Sequence, residues 1–147
     1  MKALLVSACL LGCDCKYSGG SNALPDNTLA ALRREYRLIP VCPEVAGGLP
    51  TPRIPAERLC GRVVTRDGRD VSAPFARGAQ VALALAQRYG CEKALLKERS
   101  PSCGSAVVYD GSFTGTLIPG MGLTAETLRS AGVEVFSEET IGIMKTE

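Results

Sequence analysis

Three of the seven cysteines in this 147-residue chain follow apolar runs that are typical of buried strands. Cys9 comes after KALLVSA, Cys42 comes after RLIPV, and Cys103 lies just beyond KALLKERSPS. Parallel strands end at a common edge of the sheet, and open α/β folds build their sites there. The chain has no histidine, which removes the usual general base and zinc ligand. We therefore expect a site made from sulfur, carboxylate, hydroxyl and backbone groups.

Cysteines in this pattern are compatible with three kinds of site. The loop CLLGCDCKYSGG is similar to the phosphate loop of low-molecular-weight phosphatases, but the required arginine six positions after the nucleophile is replaced by Cys15. A structural zinc site favours two closely spaced pairs, and only Cys13 and Cys15 form one. An iron–sulfur cluster fits better, because it accepts thiolates from separate loops. Three ligands would leave one iron of a four-iron cluster open as a Lewis acid. The alternative is that some of these cysteines only pack beneath the loops.

Polar residues beside these cysteines are candidates for acid–base chemistry. Glu44 lies two residues after Cys42, and partial desolvation beside a buried cluster would raise the pKa of its carboxyl, as general acid–base catalysis requires. Ser100 and Ser102 precede Cys103, where turn formation or capping is the simpler role. Glu44 is therefore the main acid–base candidate.

The hydrophobic pattern alternates between strands and helices. We expect strands at residues 2–8, 37–41, 93–97 and 133–136, and helices at residues 26–36, 73–89 and 124–130. Thr124 is the expected cap of the last helix. This βαβ succession predicts an α/β fold: a single domain over residues 1–147, with a Rossmann-like, mostly parallel sheet, flanking helices and a small hairpin.

The connecting segments are expected to be irregular. Residues 42–59 contain four prolines, which neither continue a helix nor donate to a sheet ladder, so we predict a long functional loop there. Arg53 in this loop is a candidate contact for a substrate oxygen. The Asp67–Gly68 pair predicts a hairpin over residues 63–71, and residues 107–122 are rich in turn-forming residues.

Composition favours a protein that acts on a small molecule. The formal net charge is +2, and there is no basic stripe interleaved with aromatic residues, so we do not expect a nucleic-acid partner. No segment approaches the roughly 18–20 apolar residues that cross a bilayer. The apolar N-terminus leads into a cysteine-rich loop instead of a cleavage site, so we expect a cytoplasmic protein without a membrane partner. The oligomeric state is left open.

Six segments together resemble the TudS-type thiouracil desulfidases, a family of small bacterial proteins long classed as a domain of unknown function. In chain order, the matching segments are SACLLG (7–12), CKYSGG (15–20), PVCPEVAGGLPTPR (40–53), LKERSPSCGS (96–105), YDGSFTG (109–115) and GVEVFSEE (132–139). Several of them are long and unusual, and they cover nearly the whole chain.

The resemblance implies a 4Fe-4S cluster held by Cys9, Cys42 and Cys103, with one iron free to bind the sulfur of a thiolated pyrimidine. It implies Glu44 as the acid–base residue and a serine of the SPSC motif as its assistant, for which we favour Ser100 over Ser102. The implied reaction is a non-redox, hydrolase-type cleavage of the carbon–sulfur bond that yields uracil and sulfide.

Two alternatives to this function stay open. The substrate could be a thiolated nucleoside or tRNA base, or the protein could be an iron–sulfur or metal-binding carrier or sensor without turnover. A carrier would not need Glu44 beside an open iron. We predict no role for Cys13, Cys60 or Cys91, whereas Cys15 either supports the cluster or is purely structural.

Overall fold

The computed structural model describes residues 1–144. In chain order, its strands are β1 (Lys2–Ser7), β2 (Tyr36–Val41), β3 (Ala56–Leu59), β4 (Arg62–Thr65), β5 (Lys93–Leu96), β6 (Val107–Tyr109), β7 (Leu117–Pro119) and β8 (Glu134–Ser137). Its α-helices are α1 (Asp26–Glu35), α2 (Pro43–Ala46), α3 (Ser72–Tyr89) and α4 (Leu123–Ser130). Short 3-10 turns lie at Ala8–Leu11 and Ile141–Ile143.

A four-stranded parallel sheet forms the centre of the domain, in the order β2-β1-β5-β8. The chain leaves β1 for β2 on one side and later returns to β5 on the other side. The strand order therefore reverses between β1 and β5, where open α/β sheets leave a crevice at the carboxyl ends of their strands. The predicted Rossmann-like α/β fold is confirmed. Its predicted extent reaches residue 147, and residues 145–147 lie outside the described part.

The sheet is buried on both faces, which explains the apolar run Ala3–Val6 within β1. On one face, Leu5 and Ala94 pack with residues of α3 and α4. On the other face, Leu4, Val6 and Leu95 pack with Leu32 of α1 and neighbouring side chains. No helix within residues 1–144 is long and apolar enough to cross a membrane.

The predicted long loop at residues 42–59 is partly wrong. This segment begins with helix α2. Pro43 is compatible with the helix because it occupies the first turn, where its missing N–H costs no hydrogen bond. The segment ends with strand β3, which pairs with β4 in an antiparallel hairpin. Residues 42–59 therefore contain two ordered elements and a shorter irregular stretch between them.

The predicted hairpin over residues 63–71 is present, and the structure adds a second hairpin, between β3 and β4, just before it. The turn of the added hairpin is formed by Cys60 and Gly61, both with positive φ (50° and 78°), as two-residue hairpin turns require. Asp67 and Gly68 do form a turn, in which the Gly68 N–H donates to the Thr65 carbonyl at 2.9 Å. Across that turn, Val64 and Asp70 form an antiparallel bridge, and the Val71 N–H donates to the Val63 carbonyl at 2.9 Å.

The turn-rich passage and the last helix also differ from expectation. Strands β6 and β7 pair within residues 107–119. Helix α4 begins at Leu123 after Gly122, and the predicted cap Thr124 is buried inside the helix. The Thr124 hydroxyl instead lies 2.7 Å from the Ser102 hydroxyl, so it ties α4 to the loop that carries Cys103.

Candidate functional site

A cavity of about 500 Å³ lies at the carboxyl ends of β1, β2 and β5. Cys9, Cys42 and Cys103 all line it, and Cys15 lines it as well. The structure thus brings the three cysteines that follow core strands to one edge of the sheet, with a fourth beside them.

The cysteines of the cavity lie in the segments that follow β1, β2 and β5. Cys9 lies in the 3-10 turn after β1, and Cys42 is the residue that precedes α2. Cys103 is buried in the loop between β5 and β6. Cys15 belongs to the loop after β1, and its carbonyl oxygen lies 3.7 Å from the Cys42 sulfur.

The thiols share a desolvated environment. Burial raises the pKa of Cys103 to about 12, against a hydrogen bond from Ser7 that lowers it, and nearby Cys9 adds a further rise. Burial also raises the pKa of Cys15 to about 12, assisted by Cys42. Burial raises the pKa of Cys9 too. A bound cation would reverse this preference, because metals bind the thiolate and displace the proton.

The cavity offers thiol groups as its soft donors. Among residues 1–144, no three cysteine, aspartate or glutamate side chains are close enough together to hold one metal ion. All seven cysteines are nevertheless free, and four of them line one cavity. Iron–sulfur clusters take thiolates supplied by separate loops, and this cavity provides such a donor set.

Glu44 extends from the first turn of α2 into the same cavity. Its carboxylate accepts a hydrogen bond from Arg53 Nε at 2.9 Å, and the two side chains are only 17% and 7% exposed, respectively. Burial raises the pKa of the Glu44 carboxyl, although Arg53 opposes the rise. The expected desolvation of Glu44 is therefore present.

Arg53, which the sequence suggested as a substrate contact, lines the cavity and also connects several segments of the protein, a role that the sequence did not indicate. Besides Glu44, its guanidinium donates to the carbonyls of Cys15 (2.8 Å) and Pro50 (3.1 Å) and to the Thr51 hydroxyl. It thereby links helix α2, the proline-rich loop and the loop after β1. An ion pair between residues nine apart in an irregular segment leaves no periodic signal in a sequence.

The two serines of the SPSC motif occupy different places. Ser100 lines the cavity, and its hydroxyl oxygen accepts the backbone N–H groups of Ser102 and Cys103 at 3.1 and 3.0 Å. Ser102 is buried against Thr124 and is not among the cavity residues. Ser100 therefore both shapes the turn before Cys103 and reaches the site.

A buried carboxylate organises the loop around Cys103. Glu98 accepts the backbone N–H of Ser105 at 2.6 Å, the Ser105 hydroxyl at 2.7 Å and the N–H of Ala106 at 3.1 Å. Burial would raise its pKa, but these hydrogen bonds outweigh burial and lower it. The sequence suggested only a loop here, and a carboxylate that folds back onto its own loop has no distinguishing pattern.

Helix α2 is held against α3 by two close glycine contacts. A Cβ atom on Gly78 would lie 1.8 Å from the Pro43 carbonyl oxygen, and one on Gly47 would lie 1.9 Å from the Pro74 carbonyl oxygen. Neither position tolerates a side chain without movement of the backbone. These contacts fix the helix that begins after Cys42 and carries Glu44.

The remaining cysteines lie elsewhere. Cys13 and Cys60 are exposed, and Cys91 is buried in the apolar cluster beneath α3. None of the three lines the cavity.

Comparison with known proteins gave three similarities. A family model described as 2-thiouracil desulfurase matches residues 4–140. A solved structure named 4Fe-4S-dependent thiouracil desulfidase TudS is 50% identical, with a TM-score of 0.93, over 97% of this chain and 95% of that one. The protein YbbK of Bacillus subtilis (strain 168), described as uncharacterized, is 39% identical over 148 residues, covering 94% of this chain and 97% of YbbK.

Proposed function

Because the chain belongs to the 2-thiouracil desulfurase family, as its six matching segments predicted, we propose that it converts thiouracil and water to uracil and sulfide. The observation that carries this proposal is the convergence of Cys9, Cys42 and Cys103 on one cavity that also contains Glu44. The carbon keeps its oxidation state, because a carbon–sulfur bond is replaced by a carbon–oxygen bond. No electron donor is needed.

The residues fit a 4Fe-4S cluster, the cofactor named for the similar solved structure. We assign Cys9, Cys42 and Cys103 as its ligands, one from the end of each of three adjacent strands, within a single iron–sulfur domain over residues 1–147. When bound, the cluster supplies an iron with an open position that takes the soft thiocarbonyl sulfur and polarises the carbon–sulfur bond.

Glu44 is the general base in this proposal. Its carboxylate takes a proton from the water that attacks the thiolated carbon, and it returns that proton to the ring nitrogen or the departing sulfur. The raised pKa of the carboxyl brings it nearer to neutral pH, where such proton transfers are efficient. Arg53 holds one carboxylate oxygen and thereby sets the orientation of the other.

Ser100 assists through its hydroxyl hydrogen. Its oxygen is already occupied as an acceptor by two backbone N–H groups, while the hydroxyl retains one donor. That donor lies in the cavity and suits a ring nitrogen or carbonyl of a pyrimidine.

The function is tested by anaerobic reconstitution with iron and sulfide, followed by turnover of 2- and 4-thiouracil. We expect loss of thione absorbance with matching release of sulfide. Replacing Glu44 with glutamine should lower kcat by about 10²- to 10⁴-fold, the usual contribution of a general base, with iron content unchanged. A loaded protein that releases no sulfide from either compound would instead indicate a carrier or another thiolated substrate.

A further inference from the structure

The loop between β6 and β7 forms one part of the cavity wall. The proposed chemistry assigns no role to this part. Tyr109, Phe113 and Gly115 of this region line the cavity. Phe113 has a φ of 59°, in the left-handed region that bulky residues rarely adopt. Such backbone strain persists only where the surroundings enforce it, and it is concentrated at functional sites.

The enforcing group is the carboxylate of Glu57 on β3. Its Oε1 accepts the backbone N–H groups of Gly111 at 2.9 Å and Phe113 at 3.1 Å, and the residue is only 9% exposed. One buried oxygen therefore holds both ends of the Gly111–Phe113 segment. Because charged acceptors make stronger hydrogen bonds than neutral ones, this contact is well suited to balance the strain at Phe113.

The loop is also pressed closely against β3. A Cβ atom on Gly111 would lie 2.9 Å from the Arg58 carbonyl oxygen, and the φ of Gly111 is 94°. The Arg66 guanidinium lies 5.8 Å from the centre of the Phe113 ring, within the range of a cation–π contact. Phe113 is thus fixed at its backbone by Glu57 and at its ring by Arg66.

We propose that Phe113 is the stacking surface for the flat ring of the thiolated pyrimidine, and that Glu57 is the positioning residue that holds Phe113 in the cavity wall. This inference rests on the proposed function, because it names how the same cavity orients its substrate. The cysteines and Glu44 act at the thiolated carbon, and a flat aromatic ring must be held over its face to present that carbon. Stacking on an aromatic side chain contributes about 1–3 kcal/mol per base.

Kinetics of the reconstituted full-length protein test the stacking role. Phe113→Leu should raise the KM for thiouracil by about 5- to 100-fold, the equivalent of losing one stacked base, with a smaller effect on kcat. Phe113→Tyr keeps the ring and should keep KM within about twofold. A Phe113→Leu protein with the KM of the wild type would overturn the assignment.

Fluorescence supplies a readout that a purely structural role would not change. The chain has no tryptophan, so Phe113→Trp introduces a single indole into the cavity wall. Uracil, the product, should alter the emission of this reconstituted variant in a saturable manner. An emission unaffected by uracil at any concentration would show that residue 113 does not contact the ring.

The role of Glu57 is tested in the Phe113→Trp background. Glu57→Ala removes the acceptor and should abolish the response to uracil, whereas Glu57→Gln retains an acceptor oxygen and should restore it. Equal responses in both variants would exclude Glu57 as a positioning residue. If the wild type released no sulfide, the proposed function would fail. If the wild type turned over normally, but Phe113→Leu kept the wild-type KM and the emission of Phe113→Trp did not respond to uracil, only this inference would fail.

Discussion

Four thiol groups line the cavity, and three of them are assigned as ligands. Cys15 is the fourth, and its carbonyl oxygen is held by both Arg53 and the Cys42 thiol. The backbone carbonyl of Cys15 therefore has a structural role that does not require the cysteine sulfur. Cys9, Cys42 and Cys103 lie in the segments that follow β1, β2 and β5, three neighbouring strands of the central sheet.

Serine substitutions distinguish the three proposed ligands from Cys15. We expect Cys9→Ser, Cys42→Ser and Cys103→Ser each to lose most of the bound iron, because serine oxygen is a harder and weaker donor to iron. Cys15→Ser and Cys60→Ser should retain it, with exposed Cys60 as the matched control. Iron and sulfide analysis after anaerobic reconstitution measures the result. Loss of iron in Cys15→Ser would add Cys15 to the ligand set.

At the scale of elements, the site depends on how α2 is seated on α3. The Gly78 and Gly47 contacts allow the two backbones to meet, and Arg77 of α3 adds a hydrogen bond from its Nε to the Gly47 carbonyl at 3.3 Å. The sequence predicted α3 from its periodicity, but it gave no sign that Gly78 inside that helix marks a contact with a second one.

Replacing Gly78 with alanine should therefore destabilise the protein. The new methyl group would meet the Pro43 carbonyl, and such overpacking typically costs about 1–3 kcal/mol. Gly142→Ala is the control, because a Cβ there has nothing within 4 Å. Urea unfolding of the cluster-free proteins gives the free energies. Equal stability of the two variants would mean that α2 shifts without strain.

The loop after β5 offers a second test at this scale, through Glu98. Its lowered pKa means that the folded state favours the carboxylate. The resulting stability is complete above the ordinary glutamate pKa of about 4.3 and is lost as the pH falls through the lowered value in the folded protein. Glu98→Gln should lower the free energy of unfolding at pH 7 by about 1–3 kcal/mol.

The same variant should differ less from the wild type in acid. Below the lowered pKa both proteins carry a neutral side chain at this position, so their unfolding free energies should approach each other. Denaturation of the cluster-free proteins at about pH 7, pH 4.3 and pH 3 measures how the difference between their unfolding free energies changes. A difference that stays constant with pH would assign the effect to packing alone.

At the scale of the whole molecule, the proposed ligands join segments that are distant in the chain. A cluster bound to the folded state alone stabilises that state by linkage. Removing it with a chelator should lower the thermal midpoint of the wild type and of Cys60→Ser. Cys103→Ser, which should not load, is expected to show no change on the same treatment. Identical midpoints before and after removal in the wild type would exclude a linkage between the cluster and folding.

The main sheet could be predicted from the sequence because its strands are short apolar runs with turn signals between them. The convergence of Cys9, Cys42 and Cys103 followed from the same pattern, since parallel strands end at a common edge. The Cys60–Gly61 hairpin turn was missed because it lacks the usual Asn-Gly or Asp-Gly pair. Hydrogen bonds such as that from Arg53 to Glu44 depend on the tertiary arrangement, which no local pattern encodes.

The strand order β2-β1-β5-β8 has a consequence for how the protein is made. The first of the three cysteines is synthesised near the N-terminus, but its partner at residue 103 lies beyond β5, which pairs directly with β1. A ribosome must therefore release more than two thirds of the chain before the three thiols can meet. Until then Cys9 and Cys42 lack the third thiol, so the proposed cluster would be completed only after β5 has docked beside β1.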